Sequence, residues 1–266
     1  MKIIRYQDRS GAIHYGAQQP DGTARHIEGD IFGAYTITNE MANIQKLLTP
    51  IQPTTLLCIG LNYRRHADEG GAPYPAFPVL FFKGLNTVQH PGDPIQIPTA
   101  LPSQSVDYEA ELAVVIGKSC KNVSKAQALE YVLGYTCAND VSERDWQGKC
   151  GGQWCRGKTF DTFAPLGPCL VTREDIPNPN ALRLRCTVSG VVMQDWNTDD
   201  MIFDVPTLIE FLSASTTLLP GTVILTGTPH GIGAAQKPPR FLHDGDTVTV
   251  EIDGIGALTN PVVDEK

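Results

Sequence analysis

Short apolar runs, broken by glycine and proline before they can grow into long helices, constrain this 266-residue chain most. With 25 Gly and 20 Pro, runs such as "LLCIG" (56–60), "VLFFK" (79–83) and "TVIL" (222–225) read as buried strands. "ALRLRCTVSGVVMQDW" and "TVTVEIDGIGALTNPV" read as hairpins turning at Ser189-Gly190 and Asp253-Gly254. Helical spacing is confined to "DVPTLIEFLSAS", "SKAQALEYVLG" (with Ser124 as its N-cap) and a patch at "NEMANIQKLL". Strands outnumber helices without regular strand–helix alternation, which excludes a doubly wound sheet and predicts an α+β, mainly β fold. Residues 1–50 form a small N-terminal β-rich unit, "TPIQPTT" a connector, and 56–266 the main domain.

Composition narrows the function classes. A net charge of −8 without a Lys/Arg-rich run argues against nucleic acid as a partner, leaving small molecules or proteins. No segment approaches the ~18 apolar residues of a membrane span. Seven cysteines, an odd number with no Cys-x-x-Cys pair, read as reduced thiols. The first residues, "MKIIRYQDRSG", start as a strand rather than as a targeting segment, which predicts a cytoplasmic protein.

One strand carries a chemical anomaly. In "SVDYEAELAVVIGK" (105–118), Asp107, Glu109 and Glu111 alternate onto one face while Tyr108, Ala110, Leu112, Val114 and Ile116 occupy the other. Glu109 and Glu111 would lie roughly 6–7 Å apart by strand geometry. Burying both as anions is costly unless they face solvent, pair with Arg/Lys, or hold a divalent cation. Asp140, at the polar end of "YTCAND", adds a third oxygen donor and suits Mg²⁺ or Mn²⁺, whereas no Cys/His set suits zinc.

Other polar groups also sit at strand ends. His66 and Glu69 of "HADE" are three apart, neighbours on one face of a helical turn, either a surface pair or a carboxylate-tuned general base. Lys158 of "RGKTFD" can stabilise an oxyanion, and Arg144 and Gln147 of "SERDWQ" can hold a substrate carboxylate. Arg144 can equally pair with Glu143 or Asp145. Thr228 of "TGTPHGIG" can orient a ligand oxygen in a loop that is neither a P-loop nor a dinucleotide fingerprint.

In order, "GLNYRRHADE", "DYEAELAVVIGK", "NDVSERDWQ", "GKTFDTFAPLGP", "VSGVVMQDWNTDDMIF" and "LTGTPHGIG" resemble the fumarylacetoacetate hydrolase (FAH) superfamily from about Leu56 to Val263. The similarity is greatest to its members of the domain-containing protein 2 type. The resemblance implies a mixed β-sandwich roll, a homodimer, and Mg²⁺ or Mn²⁺ on Glu109, Glu111 and Asp140. It implies His66 and Glu69 as a dyad on a lid, Lys158 as the enolate stabiliser, and Arg144, Gln147 and Thr228 near the substrate. Asp107 is not carried over as a ligand.

The chemistry implied begins with a 2-oxo dicarboxylic or 1,3-dicarbonyl acid that chelates the metal and becomes an enolate. Oxaloacetate tautomerisation is the leading outcome. Carbon–carbon hydrolysis of an acylpyruvate or fumarylpyruvate, and decarboxylation, are alternatives on the same scaffold. A non-catalytic metal- or ligand-binding homologue is the alternative of another class. Trp196, His230 and Arg65 depart from the family pattern. If they border the cleft, the substrate differs in shape from oxaloacetate.

Overall fold

The computed structural model describes every residue except Pro102 and Cys150. The first residues build β1 (Lys2–Gln7), β2 (Ile13–Gln18), β3 (Ala24–Gly29), β4 (Tyr35–Met41) and β5 (Lys46–Leu48). The chain continues through β6 (Thr55–Gly60), helix α1 (Arg64–Glu69), β7 (Val79–Lys83), β8 (Val88–Gln89), β9 (Ile95–Ile97), β10 (Val106–Asp107) and β11 (Ala110–Ile116). Next come β12 (Val132–Asn139), β13 (Ser142–Glu143), α2 (Arg144–Lys149), α3 (Cys155–Lys158) and β14 (Ala164–Thr172). The hairpin β15 (Arg183–Val188)–β16 (Val191–Asn197), helix α4 (Val205–Ser213), β17 (Thr222–Leu225), β18 (Thr247–Ile252) and β19 (Gly256–Asp264) complete the fold.

The largest sheet runs β4-β3-β2-β1-β14-β12-β11-β17-β6-β7, and β16-β15-β18-β19-β9 form a second sheet. This is the α+β, mainly β roll expected from the sequence. The first strands extend the large sheet, since Lys2 and Ile3 of β1 pair with Val171 and Leu170 of β14. Among the described residues no helix is long and apolar enough to cross a membrane.

Central strand β11 explains why its apolar run shows no polar face. Leu112, Val114 and Ile116 enter one core with Leu184, Val250 and Leu258. Ala113 and Val115 enter another with Leu56, Cys58 and Phe81. Both faces are covered, so alternation places each neighbour in a different core. The acids sit on the Ala113/Val115 side, at the end of the strand where the ladder opens.

Local expectations fare unevenly. In α4, Val205, Leu208, Ile209 and Leu212 are buried as their spacing predicts, and Asp204 caps the helix by accepting from Thr207 N–H at 3.0 Å. The Ser189-Gly190 turn has positive φ at both residues, 47° and 85°, which matches the twist of the hairpin. The helical patch at "NEMANIQKLL" is corrected: its residues contribute to β4 and form β5, the latter paired with β1 through Arg5↔Leu48. A ten-residue pattern has little helical stability of its own, and an available strand edge outweighs it. "SKAQALEY" forms a 3₁₀ segment at Lys125–Tyr131 without a cap from the Ser124 side chain, and the chain then enters β12.

Candidate active site and metal centre

The divergence of β11 and β12 creates the acidic cluster. Their ladder ends at Ala110↔Asn139, and one further backbone bond, Asp140 N–H to Glu109 carbonyl at 2.9 Å, holds the next pair side by side. Glu109, Glu111 and Asp140 can each offer one oxygen so that all three lie within 4.8 Å of one another, and all three residues are buried. The alternation seen in the sequence supplies two of these donors, and pairing with β12 supplies the third.

Cations surround the cluster unevenly. The Lys158 ammonium, on a residue 2% exposed, donates to Glu109 and Asp140 at 2.8 Å each. Lys83 donates to the other Asp140 oxygen at 2.6 Å. The Arg144 guanidinium lies 2.8 Å from Asp107 and 2.7 Å from Glu109. Among the described residues Glu111 alone of these acids has no ion pair, and its carboxylate accepts from Gly227 N–H at 2.7 Å.

Titration follows that asymmetry. Burial pushes the Glu109 carboxyl up, but Lys158 and Arg144 outweigh it and hold it far below the usual range. Burial, then the neighbouring Asp140 and Glu109, push Glu111 well above that range. Burial lowers Lys158, and Asp140 and Glu109 reverse the shift, so the ammonium is strongly retained. Burial also lowers Lys83, with Asp140 opposing it. A cluster of hard oxygens with one uncompensated carboxylate fits a divalent Mg²⁺- or Mn²⁺-type cation.

A cavity of about 360 Å³ opens above the cluster, lined by His66, Glu109, Glu111, Arg144, Gln147, Lys158 and Thr228, with Ile59, Phe81 and Trp154 as apolar wall. Seven of the nine site residues expected from the sequence therefore meet at one cavity. Asp140 completes the acidic cluster, and Glu69 stands behind His66, its carboxylate 3.6 Å from the imidazole Nδ1. That separation is an ion-pair distance rather than a hydrogen bond. Burial raises the Glu69 carboxyl, but His66 and the Gly231 amide outweigh it and hold it below the usual range.

Several side chains have more definite partners than the sequence indicated. Arg144 does not pair with Glu143 or Asp145. Its Nε donates to Asp107 at 2.9 Å and its Nη1 to the Gln147 side-chain oxygen at 3.1 Å. Asp107 also accepts from Gly233 and Ala234 N–H at 2.7 and 3.0 Å, so it is an anchor for Arg144 and the 233–234 loop. The Thr228 hydroxyl donates to Ala110 carbonyl at 2.9 Å and accepts from Gln194 at 2.8 Å, which ties the loop after β17 to β11. Lys158 is placed by a close approach: a Cβ on Gly157 would collide with Gln147 N and Glu143 O, so only glycine lets α3 pack on α2.

Lys83 and Trp154 went unrecognised in the sequence. Lys83 ends the apolar strand "VLFFK", where Phe81 and Lys83 are buried and Leu80 and Phe82 are exposed. The run is otherwise apolar on both parities, so the sequence carries no signal that Lys83 faces inward. Trp154 had none either, because its place depends on the fold of α3. Trp196, His230 and Arg65 do not line the cavity.

Known proteins resemble this chain at the levels of family, sequence and structure. Residues 55–263 match the family described as fumarylacetoacetate (FAA) hydrolase, C-terminal, and residues 1–50 match one described as Rv2993c-like, N-terminal. Oxaloacetate tautomerase fahd2, mitochondrial, of Xenopus laevis is 52% identical over 219 residues, covering 82% of this chain and 68% of that protein. The crystal structure of 2-hydroxyhepta-2,4-diene-1,7-dioate isomerase from Mycobacterium marinum is 42% identical with a TM-score of 0.85, covering 100% of this chain and 99% of the other. Maleylpyruvate hydrolase from Sphingobium sp. SYK-6, in complex with manganese(II) ion and pyruvate, is 26% identical with a TM-score of 0.78, and each chain is covered in full.

Proposed function

The chain belongs to the fumarylacetoacetate hydrolase family, and on that premise we propose that it is a divalent-cation-dependent enzyme that forms an enolate from a 2-oxo dicarboxylic or 1,3-dicarbonyl acid. Keto–enol tautomerisation of oxaloacetate is the reaction we assign, with residues 1–50 as an appended unit and 56–266 as the catalytic one. The observation that carries this reading is the buried Glu109–Glu111–Asp140 cluster facing the cavity with Lys158 between two of its carboxylates.

Glu109, Glu111 and Asp140 would hold Mg²⁺ or Mn²⁺, which supplies the Lewis acidity that makes an enolate accessible. Lys158, retained as ammonium, stabilises the developing oxyanion. Arg144 and Gln147, already linked to each other, orient a substrate carboxylate at the cavity wall. His66 takes the proton from the carbon between the two carbonyl groups, and Glu69 supports the imidazolium. Returning a proton to oxygen completes the tautomerisation without net change in atoms or charge.

The His66–Glu69 pair also favours a second reading, carbon–carbon hydrolysis with water activated by the dyad. Glu69→Gln separates the two. Hydrolysis of an acylpyruvate should fall about 10²-fold or more, the usual range for a lost general base. Oxaloacetate tautomerisation, followed by enol absorbance, should fall by less than about tenfold, since His66 and Lys158 remain. Equal losses would overturn the separation.

We also propose a homodimer through β7, an edge strand of the large sheet. Its outward residues Leu80 and Phe82 are exposed, as are the nearby Phe77, at 71%, and Leu85. An unpaired strand edge beside apolar side chains suits a second copy of the same surface. Light scattering should give twice the chain mass, and Leu80→Lys/Phe82→Lys should return it to the monomer value. A monomeric wild type rejects the proposal.

A further inference from the structure

Helix α1 carries His66, yet little within it makes it helical. It is six residues long and its N-cap, Tyr63, makes no side-chain capping bond. So short a helix has no stability of its own, and its position is set by what holds its ends.

Arg64 donates to the Asp200 and Met201 carbonyls at 3.0 and 2.7 Å, and Arg65 N–H donates to the Asp200 carboxylate at 3.1 Å. Beyond these bonds, one indole contributes to holding both ends. Toward the N-terminal end, the Arg65 guanidinium lies 3.8 Å over the Trp196 ring. At the C-terminal end, the Glu69 carboxylate accepts from Gly231 N–H at 3.0 and 3.1 Å. His230, immediately before that amide, stands edge-on to Trp196, with ring centroids 4.9 Å apart and planes at 83°.

The Gly231 peptide is itself fixed. Its φ is +97°, a Cβ there would collide with the Met193 carbonyl oxygen of β16, and the buried Tyr108 hydroxyl donates to its own carbonyl at 3.1 Å. Trp196, on the same strand as Met193, therefore meets one end of α1 directly and the other through His230 and Gly231.

We propose that Trp196, acting through Arg65 and His230, is a positioning residue that clamps α1 and aims the His66–Glu69 pair at the carboxylate site. The catalytic consequence rests on the function proposed above, whereas the clamp itself does not. None of the three residues lines the cavity, so they act on the placement of the dyad rather than by touching substrate. The clamp also accounts for the side chains at 65, 196 and 230: a planar cation, an aromatic face and an aromatic edge complement one another as a set.

Limited trypsinolysis of the full chain at Arg64 and Arg65, without metal or substrate, reads the clamp directly. Trp196→Ala should speed cleavage there about tenfold, the size expected when a cation–π pair and an aromatic pair are removed together. Trp196→Phe, which keeps a ring beneath the guanidinium, should restore most of the protection. Steady-state kinetics with oxaloacetate should show kcat lowered by a similar factor in Trp196→Ala and KM changed less than about twofold, because the binding groups are untouched.

Arg65→Gln gives an independent variant if Trp196→Ala does not fold, with faster cleavage at Arg64 expected. Unchanged cleavage at these sites in the variant tested, or a Trp196→Phe protein as exposed as Trp196→Ala, overturns the clamp. If the wild-type chain enolises none of these acids while protection still depends on Trp196, the function fails and the clamp stands.

Discussion

Glu111→Gln should abolish Mg²⁺ and Mn²⁺ binding in calorimetric titration and lower turnover on the order of a thousandfold, the several kcal/mol that Lewis-acid stabilisation supplies. The substitution keeps the shape of the side chain and the acceptor for Gly227 N–H, which lies 2.7 Å from the carboxylate. It removes the one charge in the cluster that has no cationic partner. For that reason the metal-free variant should be at least as stable as the metal-free wild type. Burial and the neighbouring acids raise the Glu111 carboxyl on folding. Such a group stabilises the fold below its unfolded pKa and forfeits that contribution as pH rises; an amide has no such dependence. Thermal melts with and without Mg²⁺ test both halves. The wild type should gain stability on adding metal and the variant should not. A variant that still binds Mg²⁺ with wild-type affinity would remove the metal reading of the cluster.

Lys158→Met should have the opposite signature. The ammonium donates to Glu109 and Asp140 at 2.8 Å each, and the residue is 2% exposed. Methionine fills the volume but leaves two buried carboxylates short of a charge, which costs about 3–5 kcal/mol when one partner of a buried pair is lost. The metal-free protein should therefore melt well below the wild type, and Mg²⁺ should restore a larger share of stability than it adds to the wild type. Turnover should fall roughly 10²–10³-fold even with saturating metal, the loss typical of a removed oxyanion-stabilising donor. A variant that melts like the wild type without metal would show that Lys158 does not neutralise the cluster.

The opposite stability effects expected of these neighbouring substitutions follow from one charge balance, in which Lys83, Lys158 and Arg144 pair with Asp107, Glu109 and Asp140 and, among the described residues, leave Glu111 unmatched. Arg144 and Asp107 belong to the same balance. Asp107 alternates with Glu109 and Glu111 in sequence, yet the structure separates their tasks. Asp107 is consumed by the Arg144 guanidinium and two loop amides, which leaves it nothing to offer a metal. The same pair fixes the guanidinium that faces the cavity.

Much of this site was legible before any fold was known. Polar residues at the ends of apolar strands have few explanations, and motif order limited them further. Glu109, Glu111, Arg144, Gln147, Lys158, Thr228 and His66 were named from the sequence and meet at one cavity. Lys83 was not, because a lysine ending an apolar run reads the same whether it faces water or Asp140. Trp196, His230 and Arg65 stand out in the sequence as departures from the family pattern, but the sequence leaves open whether they border the cleft. They lie beyond the cavity lining, and Arg65 and Trp196 meet across a chain separation of more than a hundred residues. "NEMANIQKLL" misled in the other direction, since local periodicity does not register an available partner strand.

The sequence alone determined the strand-rich class, the hairpin turns and the alternation that puts Glu109 and Glu111 on one face, because each depends on residues near one another in the chain. Only the tertiary structure decided which carboxylate lacks a cation and that Lys158 lies between Glu109 and Asp140. It also decided that one indole meets Arg65 at one end of α1 and, through His230 and Gly231, is linked to Glu69 at the other. Those are matters of distance and burial between remote segments, and Coulomb energy and desolvation depend on both.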